Sequence, residues 1–343
     1  MNYWVGYFLI LFLGGSGLIT LLFYLHRVKT SYPHLENSIL MRLTLFLTLM
    51  GAELYFKVFF AQPDALATLA AQNWYRRYYD GTINSLGYRD IEWTRDMVEG
   101  KIKVMVVGDS FVEGVGIESP QDRFPDLLAR KLGLDYVVFN IGKRRANTVE
   151  EIEAIIKYPY APDILILSYF VNDIDNVRWW YNLDRAAGPS APLLLSPLVK
   201  NSYAFNFLYW RLFRLFQAGQ PDAEWTHLLK LYNDPNAWWL HRQDLLSIHE
   251  GAKAQRIPFV VVVFPSINRT QESAVVTERV IKLFEEKGAP VLDVAPLIAG
   301  LPTDELVASP VDPHPSELVH RLVAEALYEM FLELGLAKAA EIQ

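Results

Sequence analysis

The chain has no cysteine among its 343 residues, so no disulfide holds any part of it together. That absence suits a domain working outside the cytoplasm without disulfides. It also has no surplus of positive charge. Its 32 Lys and Arg against 39 Asp and Glu leave −7 at neutral pH, with an isoelectric point near 5.6, and this argues against a nucleic-acid partner. Its glycines show no Gly-x-Gly-x-x-Gly spacing, so neither a phosphate loop nor a dinucleotide site is expected. His227, His241 and His249 stand without ligand spacing, so no metal and no other cofactor is expected. Internal repeats and low-complexity segments are lacking too.

What the chain does have is apolar residues, 52% of the total, concentrated at its start. Tyr3 to Leu25 runs 23 residues without a charge, long enough to cross about 30 Å of hydrocarbon as a helix. Nothing before it is basic and no small-residue cleavage site closes a short apolar region, so a retained span is read over a cleaved signal peptide. A second span is expected over about residues 39–60, interrupted by Arg42, Glu53 and Lys57. Glu53 and Lys57 share a helix face. They are placed at the membrane–water boundary, with a partner helix as the alternative. His26, Arg27 and Lys29 put the loop between the spans in the cytoplasm. Everything after about residue 61 is then extracytoplasmic. The bilayer is one expected partner, and a membrane protein meeting the spans is another.

Residues 61–100 read as a connecting segment, with Tyr75–Asp90 a loop or short hairpin. From Lys103 the pattern changes. Strand-length apolar runs occur at Val104–Val107, Tyr136–Asn140, Ile164–Leu167, Phe259–Phe264 and Val291–Val294. They are continuously apolar, as parallel strands covered on both faces are. Helical stretches over Arg123–Leu132, Thr148–Lys157, Trp238–Gln255, Glu272–Lys287 and Ser316–Leu334 alternate with them. The order predicts a three-layer α/β/α sandwich over 101–338, with a mainly parallel five-stranded, flavodoxin-like sheet. An aromatic-rich helical insertion interrupts it at about 179–239. Within that insertion, Tyr203–Phe216 is expected to pack on the sheet or, by preference, to lie in the headgroup layer.

Ligands of open α/β sheets bind beyond the carboxyl ends of the strands. Ser110, in Val104-Met-Val-Val-Gly-Asp-Ser110, stands there. A serine hydroxyl needs a base and oxyanion donors to act as a nucleophile. Asn172 after the third strand, backbone N–H groups of Asn140–Thr148 after the second, and Asp312 and His314 before the last helix can supply them. Asp109 is expected to hydrogen-bond the strand-end loop, and His320 to be structural. Asp293 is a second candidate for the carboxylate that orients the histidine.

In these blocks the sequence resembles the SGNH (GDSL-type) hydrolases from Lys103 to about Leu334, apart from the aromatic insertion. The resemblance implies Ser110 as nucleophile, His314 as general base and then acid, and Asp312 as the orienting carboxylate. It implies an oxyanion hole from the Ser110 N–H, a backbone N–H at Gly142 or Arg145, and the Asn172 side chain. The chain departs from the family pattern in three places. One residue, Pro313, separates Asp312 from His314 where the family usually has two. Phe170 stands where a glycine is common, and so does Arg145. Lys143, Arg144 and Arg145 are read equally as contacts for an anionic substrate and as solvated charges.

The implied function is a membrane-anchored extracytoplasmic serine esterase, acting on an acyl ester of lipid or glycan through an acyl-serine. Acyl transfer to a cell-surface glycan is one alternative. A catalytically silent accessory subunit of a membrane complex is the other.

Overall fold

The computed structural model describes residues 33–64, 66, 68–181, 190–217 and 223–338, with five isolated positions before 33. The first expected span, Tyr3–Leu25, lies almost entirely outside them. Among its helices, in chain order, are α1 (Pro33–Val58), α2 (Leu69–Tyr78), α3 (Ser110–Glu113), α4 (Phe124–Leu132), α5 (Thr148–Lys157) and α6 (Ser196–Asn201). They continue with α7 (Tyr203–Gln217), α8 (Ala223–Asn233), α9 (Pro235–Ala254), α10 (Thr270–Glu285) and α11 (Glu317–Glu333). The chain divides into two compact units. One comprises residues 1–62, 66–74 and 188–220, the other 63–65, 75–187 and 221–343.

The larger unit is built on five parallel strands: β1 (Ile102–Gly108), β2 (Tyr136–Gly142), β3 (Ile164–Tyr169), β4 (Phe259–Val263) and β5 (Val291–Asp293). Their order is β2-β1-β3-β4-β5, and β1 lies between β2 and β3, with Val104 opposite Val138 on one side and Ile164 on the other. Alternate residues face opposite layers. Met105, Val107, Phe139, Leu167 and Val261 pack with Leu228, Leu245, Val280 and Phe284 of α8, α9 and α10. Val104, Val106, Ile166 and Val262 pack with Phe124 and Leu128 of α4 and with Val323, Leu327 and Phe331 of α11. Each such side chain contributes about 1.5–3 kcal/mol on burial. The unbroken apolar runs therefore follow from a sheet buried on both faces.

Local signals set the ends. Asn147 and Glu150 form a reciprocal capping box at the start of α5. Asp234 accepts from two backbone N–H groups ahead of Pro235 at the start of α9. A small antiparallel pair, β6 (Val307–Ser309) and β7 (Asp312–Pro315), precedes α11.

In the smaller unit, Asn37–Val58 within α1 is long and apolar enough to cross a membrane, the single such helix among the described residues. Glu53, expected at a boundary beside Lys57, is instead 3% exposed. Its carboxylate accepts from Ser202 Oγ (2.8 Å), Tyr203 N (2.8 Å) and Ala204 N (3.0 Å). It thereby caps α7, and the positive end of that helix offsets the cost of a buried charge. Phe207 stacks on Phe56 at 4.4 Å, so α7 packs on α1. The stretch expected as a loop or hairpin also differs, because α2 extends through Tyr78. Its cues are side-chain bonds made far away in sequence. Asn73 donates to carbonyls at the end of α1, including Lys57 O at 3.0 Å, and no local pattern reports such a bond.

Candidate active site

β1 delivers the chain to Gly108, and a single helical turn follows at once. Asp109 caps that turn, its Oδ1 accepting from Phe111 N at 2.9 Å. Ser110 is thus the first residue of α3, and its own N–H lies among those a helix start leaves without an intrahelical partner. The close fit of β2 against this turn requires a glycine. A Cβ on Gly142 would sit 2.3 Å from Glu113 N and 2.5 Å from Val112 Cβ. Gly116, at φ +90°, does the same for the β6–β7 pair, since a Cβ there would fall 2.3 Å from Ala308 Cβ on β6. Gly142→Ala is expected to lose about 3 kcal/mol, the upper end for an overpacked site, because the clash is with backbone that cannot rotate away. For a domain of this size that is a fall in Tm of roughly 6–12 °C by thermal unfolding. An unchanged Tm would show that the turn has slack the geometry does not allow.

Three side chains then converge. His314 Nε2 lies 2.9 Å from Ser110 Oγ, and His314 Nδ1 bonds Asp312 Oδ1. The same Oδ1 accepts from His314 N at 3.1 Å. Asp312 folds back over Pro313 as an Asx turn on the extended strand β7, so a single intervening residue is enough for the contact. The Asp312 side chain is 1% exposed and that of His314 is 21% exposed, its ring open toward Ser110. Burial disfavours the imidazolium. The Asp312 carboxylate, with Asp109 and Glu113 behind it, outweighs that and raises the His314 pKa above the ordinary value. Asp293 sits elsewhere, its Oδ1 accepting from Ala295 N at 3.0 Å.

Asn172 follows β3, and its side-chain amide favours the charged form of the fully buried Asp109 carboxylate. Asp109 also lies 3.3 Å from Ser110 Oγ. Burial pushes the Asp109 pKa up, against the hold of Phe111 N–H, the His314 charge, Ser110 and Asn172. Two further buried acids stand behind it. Glu151 is raised well above the carboxylate range by burial and then by the Asp109 and Glu150 charges, and Asp173 by burial and then by the Glu151 and Asp109 charges.

The glycine-rich second block divides differently. Gly142 N–H donates to Asn140 Oδ1 at 3.1 Å, so its place in the turn is spatial. Arg145 has φ +63°, a left-handed conformation that glycine takes without cost, and its side chain is exposed. Arg144 is bound within the protein. Its Nε lies 2.9 Å from Glu113 Oε1, and its guanidinium lies over the Tyr75 ring at 4.3 Å. Lys143 is exposed.

A cavity of about 210 Å³ opens at Ser110, His314 and Asn172. Phe111, Phe170, Trp225 and Leu228 make one wall, and Glu224, Ser266, Asn268 and Arg269 give it polar groups. Phe170 stacks on Phe111 at 4.1 Å. Ser266–Arg269 follow β4, at the strand ends where ligands are expected, and that position was their available signal. Trp225 and Leu228 come from the insertion and carried none. His320 and His241 are not among the residues that line the cavity. His320 Nδ1 accepts from Phe124 N at 3.1 Å, and burial lowers its pKa to about 3. His241 is likewise buried, 3.1 Å from Tyr169 OH, with its pKa lowered to about 3.

This arrangement agrees with what comparison returns. Residues 106–322, more than half of the chain, match the GDSL-like Lipase/Acylhydrolase family. The chain belongs to that family. This GDSL-family protein is accordingly an esterase or acylhydrolase, an enzyme acting on ester bonds. Similar solved structures include a member of the lipolytic protein G-D-S-L family from Veillonella parvula, at 14% identity and TM-score 0.40, covering 67% of this chain and 98% of that one. TesA is similar at 14% identity and TM-score 0.43, covering 68% and 99%. The psychrotrophic esterase EstA from Pseudoalteromonas is similar at 12% and TM-score 0.41, covering 68% and 98%. No curated protein matches the GDSL-family chain.

Proposed function

We propose that this hydrolase cleaves short-chain acyl esters of polar alcohols through an acyl-serine on Ser110, anchored by α1 at the outer face of a membrane. The observation that carries the chemistry is the 2.9 Å approach of His314 Nε2 to Ser110 Oγ, with Asp312 on the other ring nitrogen. With Nδ1–H donating to Asp312, Nε2 holds the lone pair that takes the Ser110 proton as Oγ attacks the ester carbonyl. The oxyanion is held by the N–H groups of Ser110 and Arg145 and by the Asn172 amide, with Gly142 giving the turn its room. The imidazolium then protonates the leaving alkoxide, and the alcohol departs. Water attacks the acyl-serine, His314 takes its proton, and the carboxylic acid leaves as the proton returns to Ser110.

The cavity supports the substrate class. Phe170, in the place of a glycine common in the family, stacks on Phe111 and closes the acyl side of the pocket. Glu224, Ser266, Asn268 and Arg269 offer hydrogen bonds to a hydroxylated leaving group. Phe170→Ala is expected to raise the ratio of kcat/KM for p-nitrophenyl hexanoate over acetate by at least about 10-fold, since one methylene in an apolar pocket is worth about 1–3 kcal/mol. An unchanged ratio would mean that Phe170 does not meet the acyl chain.

The same polar wall favours a second reading, in which a sugar hydroxyl replaces water in the second half-reaction. Incubation with an acetyl donor and candidate glycans tests it, acetylated glycan by mass spectrometry supporting transfer and free acetate alone supporting hydrolysis. Location is tested separately. The chain has no cysteine, so Ile156→Cys, at a side chain 76% exposed, gives one reactive site. An impermeant maleimide should label it in intact spheroplasts. Labelling that needs lysis would place the domain inside.

A further inference from the structure

Glu113 is 4% exposed and closes the single helical turn that Ser110 opens. Three residues apart on a helix, the two stand as neighbours on one face. A carboxylate at that depth is costly unless its oxygens are engaged, and both are. Glu113 Oε2 accepts from Arg144 N, and Oε1 lies 2.9 Å from Arg144 Nε. The Arg144 guanidinium is held in turn over the rings of Tyr75 and Tyr79, at 4.3 and 5.0 Å.

The turn that carries Glu113 is itself fixed. Two buried guanidinium groups take the carbonyls at its end, Arg89 Nη1 donating to Gly114 O at 2.8 Å and Arg123 Nη1 to Glu113 O at 3.3 Å. Tyr79 OH adds a further donor to Gly114 O at 3.3 Å.

The partner segment is a tight turn under strain. Ala146 N donates to Lys143 O at 3.0 Å, which places Arg145 third in the turn 143–146, at φ +63°. A type II turn takes a positive φ at that place and favours glycine there. An arginine persists in it only where the surroundings over-determine the backbone. The N–H groups nearby are accounted for one by one. Gly142 N donates to Asn140 Oδ1, Lys143 N to Gly108 O at 3.1 Å, Arg144 N to Glu113 and Ala146 N back to Lys143. Among the described residues, no group accepts from Arg145 N. The bond to Glu113 is thus made by the N–H immediately before the one that is left over.

We propose that Glu113 is a positioning residue of this esterase, its carboxylate tying the 143–146 turn to the turn that carries Ser110 and so fixing the Arg145 N–H where the oxyanion forms. The inference rests on the reading of that N–H as an oxyanion donor. A donor fixed in advance costs no reorganisation as charge develops on the carbonyl oxygen. Glu113 is not among the residues that line the cavity, and it acts through Arg144 N.

Hydrolysis of p-nitrophenyl acetate and of its thiono analogue, in which sulfur replaces the carbonyl oxygen, tests this with the purified full chain. Sulfur is a weak hydrogen-bond acceptor, so loss of an oxyanion donor slows the oxygen ester far more than the sulfur ester. The ratio of the two kcat/KM values reads the oxyanion hole and cancels losses common to both. It is measured on the alkaline plateau, because the Glu113 charge also helps to raise the His314 pKa. We expect Glu113→Ala to lower the ratio by at least about 10-fold, part of the roughly 10²- to 10³-fold that a missing oxyanion donor costs. Glu113→Gln keeps the volume but turns an N–H toward one of the two donors. It should shift the ratio the same way, and it decides the outcome if the alanine variant does not fold. The reference is an α-hydroxy acid at position 145, which replaces that N–H by an ester oxygen. A lowered ratio in the reference with an unchanged one in the Glu113 variants would overturn the proposal and leave Arg145 N–H as a donor. Equal losses toward both esters in the Glu113 variants would reduce Glu113 to holding the fold, and would overturn it too. An unchanged ratio in the reference would remove the reading of Arg145 N–H and the proposal with it.

Discussion

Replacement of Ser110 by alanine is expected to lower kcat/KM for p-nitrophenyl acetate by about 10³-fold or more, with the thermal transition of the protein unchanged. The magnitude follows from the geometry. Ser110 Oγ is both the atom that bonds the acyl carbon and the donor to His314 Nε2 at 2.9 Å. Its loss removes the covalent route and leaves only positioning and oxyanion donors. The fold has little stake in the hydroxyl. Ser110 is held by its place after β1 and by the Asp109 cap, which bonds Phe111 N and survives the change. His314→Ala should fall to a similar floor, and the double variant hardly lower, because nucleophile and base act as a unit. Additive losses in the double variant would mean that the two residues work separately.

Asp312→Asn is expected to cost on the order of 10³-fold in kcat/KM, and to move the acid limb of the pH profile to lower pH. An amide can donate to Nδ1, which would leave the proton on Nε2, the nitrogen that must be free to accept from Ser110. The direction of the pH shift has its own cause. His314 acts as base when neutral, so activity rises with pH through its pKa. That pKa is raised because carboxylates, Asp312 first among them, outweigh the burial that lowers it. Removal of the Asp312 charge lowers the pKa and lets the ring stay neutral in more acid solution. Stability must follow the same sign. With the folded pKa above the unfolded one, the His314–Asp312 pair stabilises the protein fully below the unfolded value and loses that contribution as pH rises through the folded value. Wild type minus Asp312→Asn, followed by Tm against pH, should therefore narrow toward alkaline pH. A limb that stays in place would assign the ring's orientation to some group other than Asp312.

The sequence made the sheet and the converging loops legible for the same reason. Strands buried on both faces must be continuously apolar, so β1 to β5 stood out, and residues just past their ends fall on one edge whatever the helices do. Ser110 and Asn172 were singled out that way, and His314 by its place before the last helix. Asp312 was harder, because a one-residue gap makes the contact only through an Asx turn over Pro313, a matter of side-chain direction and not of spacing. Gly142 shows a similar limit. Its type announced a special position, but whether the position needed an N–H or an empty Cβ depended on Asn140 and Val112 from other segments. Glu53 was placed at a boundary because its partners lie about 150 residues away. The cavity wall from Trp225 and Leu228 is of the same kind, brought to the site by an insertion whose aromatic pattern names no neighbour.

The central claim is that Ser110 is an activated nucleophile, and the most direct measurement is labelling with a fluorophosphonate probe followed by peptide mapping. The account predicts one adduct, on the peptide containing Ser110, absent from Ser110→Ala and slowed in Asp312→Asn. Folded wild-type protein that takes no label, or a label that persists in Ser110→Ala, would contradict it.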